Sequence, residues 1–297
     1  MKFGVIFPMT EYPVDPAAIK DFAQAAEDLG FNHLLTYDHV LGANPDRKGG
    51  WSGPYTYKDS FEEPLTLFSF LSGVTKTLAF VSGIIILPQR QTALFAKQAA
   101  TLDVLSGGRL RLGVALGWNK VEYIGLNKNF HNRGERFEEQ IQVLRELWTK
   151  ELVTFQGKWH TILDAGLNPL PVQRPIPLWF GGHADPVLRR VAKMGDGWMP
   201  LYHTVADAKD ALVKLESYLS KEGRRMDELG LEPWLRYGSG DPEEWRKVAH
   251  EWEDAGATHM TVNTMRQGFA TAEEHISAIK KYAEALGVRP SQVRFAT

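Results

Sequence analysis

The 297-residue chain contains no cysteine. It therefore has no disulfide bond, no thiolate nucleophile and no cysteine ligand for zinc or an iron–sulfur cluster. An excess of charge of one sign is also missing, because 34 Lys and Arg face 36 Asp and Glu, for a formal net charge of −2. We therefore expect no binding to nucleic acid or to an anionic membrane surface.

Targeting segments and familiar catalytic motifs are missing as well. The stretch 1–8 is too short for a signal peptide and is interrupted by Pro8, and no apolar run approaches the ~20 residues that span a bilayer. The sequence has no H-E-x-x-H, G-x-S-x-G or P-loop motif. We expect a cytoplasmic protein without a metal site.

Short apolar runs alternate with longer segments of helical period along the whole chain. Such alternation predicts parallel strands, each followed by a helix. The eight predicted strands are 3–7, 33–36, 78–87, 110–115, 177–180, 197–200, 231–237 and 258–263. Eight such units predict a single α/β domain over 1–297, a (β/α)8 TIM barrel. An open doubly wound sheet is the alternative, but no G-x-G-x-x-G follows the first strand.

Two segments exceed the bare repeat and are predicted insertions, 41–61 after strand 2 and 152–175 before strand 5. Long loops in a compact domain are often functional lids. The first contains Trp51, Tyr55 and Tyr57, which either line an apolar substrate pocket or pack the loop itself. The helix after strand 4 is predicted to begin with a capping box of Asn132 and Glu135.

Active sites of such barrels form at the C-terminal ends of the strands. Asp38 and His39 follow strand 2, and a histidine there suits proton transfer near neutral pH. In the alternative, they are a turn cap and a packed loop residue. In strand 3, Ser82-Gly83-Ile84 places a glycine inside an apolar strand, which indicates a bulge or a flat group pressed against the backbone.

Glycines also follow the next two strands. Gly117 and Trp118 come after strand 4, where the indole either covers a bound ring or plugs the barrel. The segment 181–184, Gly181-Gly182-His183-Ala184, leads into a helix, whose free N–H groups favour phosphate. In the alternative, Asp185 caps that helix and repels an anion. The segment 238–241 after strand 7 is a rival phosphate loop with the same weakness.

The stretch 78–117 closely resembles the core of luciferase-like flavin and F420 oxidoreductases, and LDVLSGGR within it is the most specific part. The PIPLWFGG segment at 175–182 and GDGWMP at 195–200 follow in the order that the family shows. The resemblance covers about the first 200 residues well and the last third by general layout. It implies a barrel, usually a homodimer, with the flavin or deazaflavin ring in the mouth.

The resemblance also implies roles for individual residues. A cis peptide bond at Gly83-Ile84 would support the ring, Asp38 and His39 would lie beside it, and the Gly181-Gly182 segment would hold the cofactor phosphate. Two departures concern the cofactor and the substrate. Flavin-binding luciferases carry an arginine at the position of Leu116, and F420 sugar-phosphate dehydrogenases carry a glutamate at the position of Trp118.

The favoured hypothesis is an F420-dependent oxidoreductase that transfers a hydride between the deazaflavin and a small organic substrate, with His39 as proton donor or acceptor. The alternative is an FMN-dependent monooxygenase that receives reduced flavin from a separate reductase and reacts with oxygen. A barrel without catalytic activity is a third possibility. It is disfavoured because Asp38, His39, Gly83 and the double glycine are all present.

Overall fold

The computed structural model describes residues 1–290. Nine strands form one curled parallel sheet, and two more form an antiparallel hairpin. The strands are β1 (Lys2–Ile6), β2 (His33–Thr36), β3 (Ala79–Ile86), β4 (Leu110–Ala115), β5 (Val153–Gln156), β6 (Thr161–Ala165), β7 (Leu178–Gly181), β8 (Gly197–Met199), β9 (Gly230–Leu231), β10 (Trp234–Arg236) and β11 (His259–Asn263). The parallel sheet runs in the order β10-β11-β1-β2-β3-β4-β7-β8-β9, which confirms an α/β fold.

Helices connect the strands, and their apolar faces are buried. The α-helices are α1 (Pro16–Leu29), α2 (Pro64–Ser72), α3 (Thr92–Leu105), α4 (Lys120–Gly125), α5 (Arg133–Thr149), α6 (Asp185–Met194), α7 (Val205–Lys221), α8 (Pro242–Asp254) and α9 (Ala272–Leu286). Helix α1 illustrates why they form where they do. Asp15 accepts a hydrogen bond from the N–H of Ala18, and Gly30 ends the helix in a left-handed conformation.

The seventh predicted strand is divided. Its halves, β9 and β10, lie at opposite ends of the strand order, although only Glu232 and Pro233 separate them along the chain. Proline has no N–H to donate to a ladder. The N–H of Glu232 donates to the carbonyl of Trp198, and the carbonyl of Pro233 accepts from the N–H of Thr261. One short stretch of chain thus contacts both edges of the sheet.

Two elements were not predicted from the sequence, and one expectation about local structure is wrong. The insertion at 152–175 contains the β5–β6 hairpin, in which Val153 is buried and the residues beside it are exposed. Helix α4 was not predicted from the sequence. The capping box at the start of α5 is wrong, because Asn132 accepts instead from the guanidinium of Arg136 and Glu135 pairs with Lys158.

In the described part of the chain, no helix combines the length and the apolar character that a membrane crossing requires. Within residues 1–290 there is likewise no cluster of three His, Asp or Glu side chains that could hold a metal ion.

Candidate functional site

A cavity of about 370 Å³ opens at the edge where the parallel strands end. Its walls are almost entirely apolar, with Val114, Phe180 and Met199 from three strands and Trp234 from β10. Eight of the ten residues predicted to hold a cofactor line it: Gly83, Ile84, Gly117, Trp118, Gly181, Gly182, His183 and Ala184. These eight residues come from three separate segments of the chain, which therefore meet in one place.

The predicted irregularity of β3 is present. The peptide bond between Gly83 and Ile84 is cis, and the register between β3 and β4 shifts after Ser82. A Cβ on Gly83 would lie 2.4 Å from the Leu35 side chain, so packing against β2 already requires glycine there. Ser82 does not line the cavity. Its buried hydroxyl donates to the carbonyl of Gly113 at 2.8 Å and ties β3 to β4.

Gly117 shapes the wall after β4. Its φ is +69°, and a Cβ would lie 2.6 Å from a methyl group of Ile86, so an L side chain is excluded there on two counts. The turn presents Trp118, which is 45% exposed. Its indole ring lies 5.6 Å from that of Trp51 in the first insertion. Trp118 is thus a partly exposed lid on one side of the cavity.

The N-terminus of α6 is open toward the cavity. Its N-cap is Ala184, which has no capping side chain, and among residues 1–290 nothing accepts from the backbone N–H groups of His183, Ala184 and Asp185. Asp185 does not cap the helix. Its carboxylate accepts from Tyr218 Oη at 2.6 Å and Arg189 Nε at 2.9 Å. The alternative in which Asp185 occupies the anion site is therefore wrong.

The rival phosphate loop at 238–241 differs in this respect. Asp241 is the N-cap of α8, and its carboxylate accepts from the N–H of Glu243 at 2.9 Å. A carboxylate therefore already occupies the N-terminus of that helix. The loop does not line the apolar cavity. Of the two candidate phosphate loops, only the one before α6 meets the cavity with free donors.

An arginine that the sequence argument missed also lines the cavity. Arg190 lies on α6, one turn after Val187, which lines the same wall. Its Nε donates to Glu138 on α5 at 2.8 Å. The spacing of three residues puts Arg190 on the same face of the helix as Val187, but the sequence does not show that this face lines a cavity. The site therefore has one guanidinium near the free N–H groups, already paired with a carboxylate.

Asp38 lies outside the cavity and serves as a brace. It is buried, and its carboxylate accepts from the N–H of Ile86 at 2.9 Å and from Arg90 Nη2 at 2.6 Å. Burial raises the pKa of Asp38, and the Arg90 guanidinium opposes that shift. Arg90 also binds Glu63 at 2.7 Å. Asp38 thus joins the end of β2 to β3 and the start of α2.

His39 lies in a second, smaller cavity of about 170 Å³, which Asp59 and Asn119 make more polar. The Trp118 ring lies 5.7 Å from the imidazole and also lines the first cavity, so it separates the two. Tyr55 packs on His39 at 5.2 Å, whereas Tyr57 is largely exposed. The sequence correctly predicted that His39 lies at the edge where the strands end. The structure places it on the side of Trp118 that faces away from the apolar cavity.

The comparisons with known proteins agree on one family. The family model for luciferase-like monooxygenases matches residues 1–236. The pyrimidine monooxygenase RutA of Allorhizobium ampelinum is 30% identical, over 88% of this chain and 76% of its own. An F420-dependent glucose-6-phosphate dehydrogenase of Amycolatopsis mediterranei is 28% identical, over 62% of this chain and 53% of its own.

The fold is also similar to a solved structure. The F420-dependent tetrahydromethanopterin reductase of Methanopyrus kandleri superposes with a TM-score of 0.76, over 96% of this chain and 98% of that one. The two sequences are 16% identical, so this likeness concerns the fold alone.

Proposed function

We propose that this chain, which belongs to the luciferase-like monooxygenase family, transfers a hydride between F420 and a small organic substrate. The relatives are F420- or flavin-dependent oxidoreductases and monooxygenases, and the chain is accordingly an oxidoreductase. Membership of this family does not decide whether the chain binds F420 or FMN. The choice of F420 over FMN rests on the charge of the phosphate site.

The residues present fit a cofactor with a flat ring and a phosphate. The apolar cavity suits the ring, which would lie against the Gly83-Ile84 backbone with Trp118 at its edge. The three free N–H groups of residues 183–185 at the start of α6 would bind the phosphate, because a helix N-terminus attracts anions. This open helix N-terminus at the end of an apolar cavity is the observation that carries the proposal.

The electrostatics favour a phosphate with a single charge. Arg190 is the sole Lys or Arg among the residues that line the cavity, and Glu138 already pairs with it. The F420 phosphate is a diester with one negative charge, whereas the FMN phosphate is a monoester with a charge of about −2. A site with one partly neutralised cation and three N–H donors balances the diester better.

FMN remains the second candidate because an arginine is present after all. The missing arginine at Leu116 argued against FMN, but Arg190 brings a guanidinium to the cavity from α6. The 30% identity to a pyrimidine monooxygenase supports the oxygen-dependent reaction of this alternative. In that case the protein would work with a separate flavin reductase.

The chain's own residues would orient the reactants and move a proton. When bound, F420 supplies the hydride chemistry, and the protein supplies orientation and electrostatics. The apolar walls exclude water from the ring, and the substrate would bind on the ring's open face. His39 would donate or accept the proton once the Trp118 indole moves aside and joins the two cavities.

Three expectations about architecture belong to the same proposal. The sheet would close as a (β/α)8 barrel, because β9 and β10 are neighbouring pieces of chain at its two edges. The whole chain would be one domain. It would form a homodimer through the exposed apolar side chains of α2 and α3, Phe70, Leu94 and Leu105. Sedimentation of the purified protein at micromolar concentration tests the dimer.

Titration with F420 and, separately, with FMN decides the cofactor. Quenching of the nine tryptophans reports binding, and Trp118→Phe identifies the part of the signal that comes from Trp118, one of the two tryptophans that line the cavity. We expect F420 to bind at least 10-fold more tightly than FMN. Tighter binding of FMN would replace hydride transfer by oxygen-dependent flavin chemistry, and binding of neither would overturn the proposal.

Placing a carboxylate at the open helix N-terminus tests the phosphate site directly. We expect Ala184→Asp to stabilise the protein by about 1 kcal/mol, because it caps α6. The same carboxylate repels the phosphate, and two charges 4 Å apart at an effective dielectric constant of 20 interact by about 4 kcal/mol. Cofactor affinity should therefore fall roughly 100-fold or more. Thermal melting and titration measure the two effects.

The uncharged variant Ala184→Ser is the matched control. It caps the same helix without adding charge, so it should share the gain in stability and lose much less affinity. Ala184 is exposed, which makes both substitutions compatible with the fold. An Ala184→Asp protein that binds F420 within threefold of the wild-type value would show that the phosphate lies elsewhere.

A further inference from the structure

The carboxylate of Glu122 is fully buried close to the mouth of the sheet, and nothing in the proposed function uses it. Its Oε1 lies 3.1 Å from His39 Nδ1 and 2.9 Å from the backbone nitrogen of Val40. The amide of Gln89 donates to Oε2 at 3.2 Å. Helix α4 thus places a carboxylate within hydrogen-bonding distance of the imidazole.

Glu122 is charged in this environment. Burial opposes its ionisation, but the hydrogen bonds from His39, Gln89 and Val40 outweigh that effect and lower the pKa of the carboxyl group. No Lys or Arg within residues 1–290 forms an ion pair with it. The imidazole of His39 is therefore the one ionisable partner of this buried carboxylate in the part of the chain that the structure describes.

An ionised carboxylate accepts hydrogen bonds and cannot donate them. The 3.1 Å contact consequently requires the hydrogen of a neutral His39 ring to be on Nδ1. The other nitrogen, Nε2, keeps its lone pair, and no described side chain occupies it. Phe61 at 4.8 Å and Tyr55 at 5.2 Å hold the plane of the ring.

We propose that Glu122 is the positioning residue of His39, fixing the Nδ1–H tautomer so that Nε2 takes up or releases the reaction proton. This inference rests on the proposed function. A proton that arrives at Nε2 makes the ring a cation, and its Nδ1–H still donates to the carboxylate of Glu122. The proton leaves by the same nitrogen in the reverse direction.

Helix α4 explains why no motif revealed the pair. Glu122 follows Trp118 by four residues, a separation that places both next to His39 from one turn and the start of one helix. The F420 sugar-phosphate dehydrogenases that the sequence resembles carry a glutamate at position 118, where this chain has tryptophan. Here the carboxylate reaches the histidine from four positions further along the chain.

The experiment reads the tautomer of His39 by nitrogen-15 NMR on the full-length protein without cofactor, with His39→Ala to assign the signal. We expect the Nδ1–H form in the wild type and in Glu122→Gln, whose amide oxygen still accepts. Glu122→Leu removes the acceptor and should produce a mixture dominated by Nε2–H. If the leucine variant does not fold, Glu122→Asp is used in its place, because its shorter side chain draws the carboxylate away from His39.

Turnover is measured on the same proteins. We expect kcat to fall about 10-fold in Glu122→Gln and about 100-fold in Glu122→Leu, with cofactor affinity unchanged, since Glu122 does not line the apolar cavity. The control is Glu139→Gln, which alters a histidine–glutamate pair far from the cavity, His160 Nδ1 to Glu139 Oε1 at 2.7 Å. It should leave the His39 tautomer and kcat unchanged.

Two failures are distinguishable. A wild-type tautomer in Glu122→Leu overturns the positioning role while the proposed function stands. An altered tautomer in Glu122→Leu, combined with an unchanged kcat in that variant and in His39→Ala, overturns the proton-transfer role of His39 and the positioning role with it.

Discussion

Replacing Glu232 with alanine is expected to lower the free energy of unfolding by about 3–5 kcal/mol, the usual effect of breaking a buried ion pair from one side. Glu232 is fully buried between β9 and β10. Its carboxylate contacts Arg111 Nη1 and His33 Nε2, each at 2.6 Å, and the hydroxyl of Thr261 also donates to it. These partners come from three other strands.

The cost arises because the partners cannot reach water. Arg111 is nearly buried, and its guanidinium lies 4.0 Å from the ring centre of Trp179. His33 is fully buried and is held where a Cβ on Gly4 would clash with its ring. Without Glu232, the interior would retain an unpaired positive charge, which is far costlier than the loss of one surface contact.

The same network predicts how stability depends on pH. Burial raises the pKa of Glu232, but Arg111 and His33 outweigh it, so the folded-state pKa is lowered. A lowered carboxyl pKa contributes stability above the unfolded value of about 4.3, and this contribution is lost as the pH falls toward the folded value. The stability difference between the wild type and Glu232→Gln should therefore shrink with acidification below about pH 4.

Urea denaturation at pH 7 measures the effect on unfolding. The control is Asp227→Asn, which breaks an exposed pair with Arg225 at 2.8 Å and should change stability by less than about 1 kcal/mol. A loss below about 1 kcal/mol in Glu232→Ala would contradict the prediction and show that water or a repacked side chain satisfies Arg111.

This network also shows where sequence reasoning ends. The segment 231–237 was predicted as one strand because apolar residues flank Glu232 and Pro233. The strands can be identified from the period of apolar residues, which is a local property of the sequence. Their alternation with helices then indicates a parallel sheet and the edge at which the strands end. The partner of a buried charge depends on packing between distant segments, here β2, β4 and the break before β10.

The candidate site likewise contains residues that the sequence indicated and residues that it did not. Gly83, Gly117 and the pair Gly181-Gly182 were found because a glycine inside a strand or at its end indicates an unusual backbone conformation, which a single sequence can show. Arg190 and Glu122 were missed because their importance depends on which cavity or imidazole the helix faces. Asp38 was placed correctly at the end of β2, yet its role as a brace depends on Arg90, 52 residues later.

The His39→Ala protein is expected to lose about 10²–10⁴-fold in kcat, the range that positioned acid–base groups contribute. Cofactor affinity should stay within threefold, because His39 lies behind Trp118 and does not line the apolar cavity. Stopped-flow turnover with the first substrate that reacts measures kcat. Tryptophan quenching measures the affinity on the same preparation.

His160→Ala is the matched control for removing a histidine that pairs with a glutamate. His160 bonds Glu139 and the hydroxyl of Thr92 on the outer side of the sheet, so its loss affects local stability and not the reaction. If His39→Ala retains more than a tenth of kcat while His160→Ala is normal, His39 is not the acid or base. The proton would then have to move through solvent or through the substrate itself, and Trp118 would be a partition that keeps His39 away from the ring.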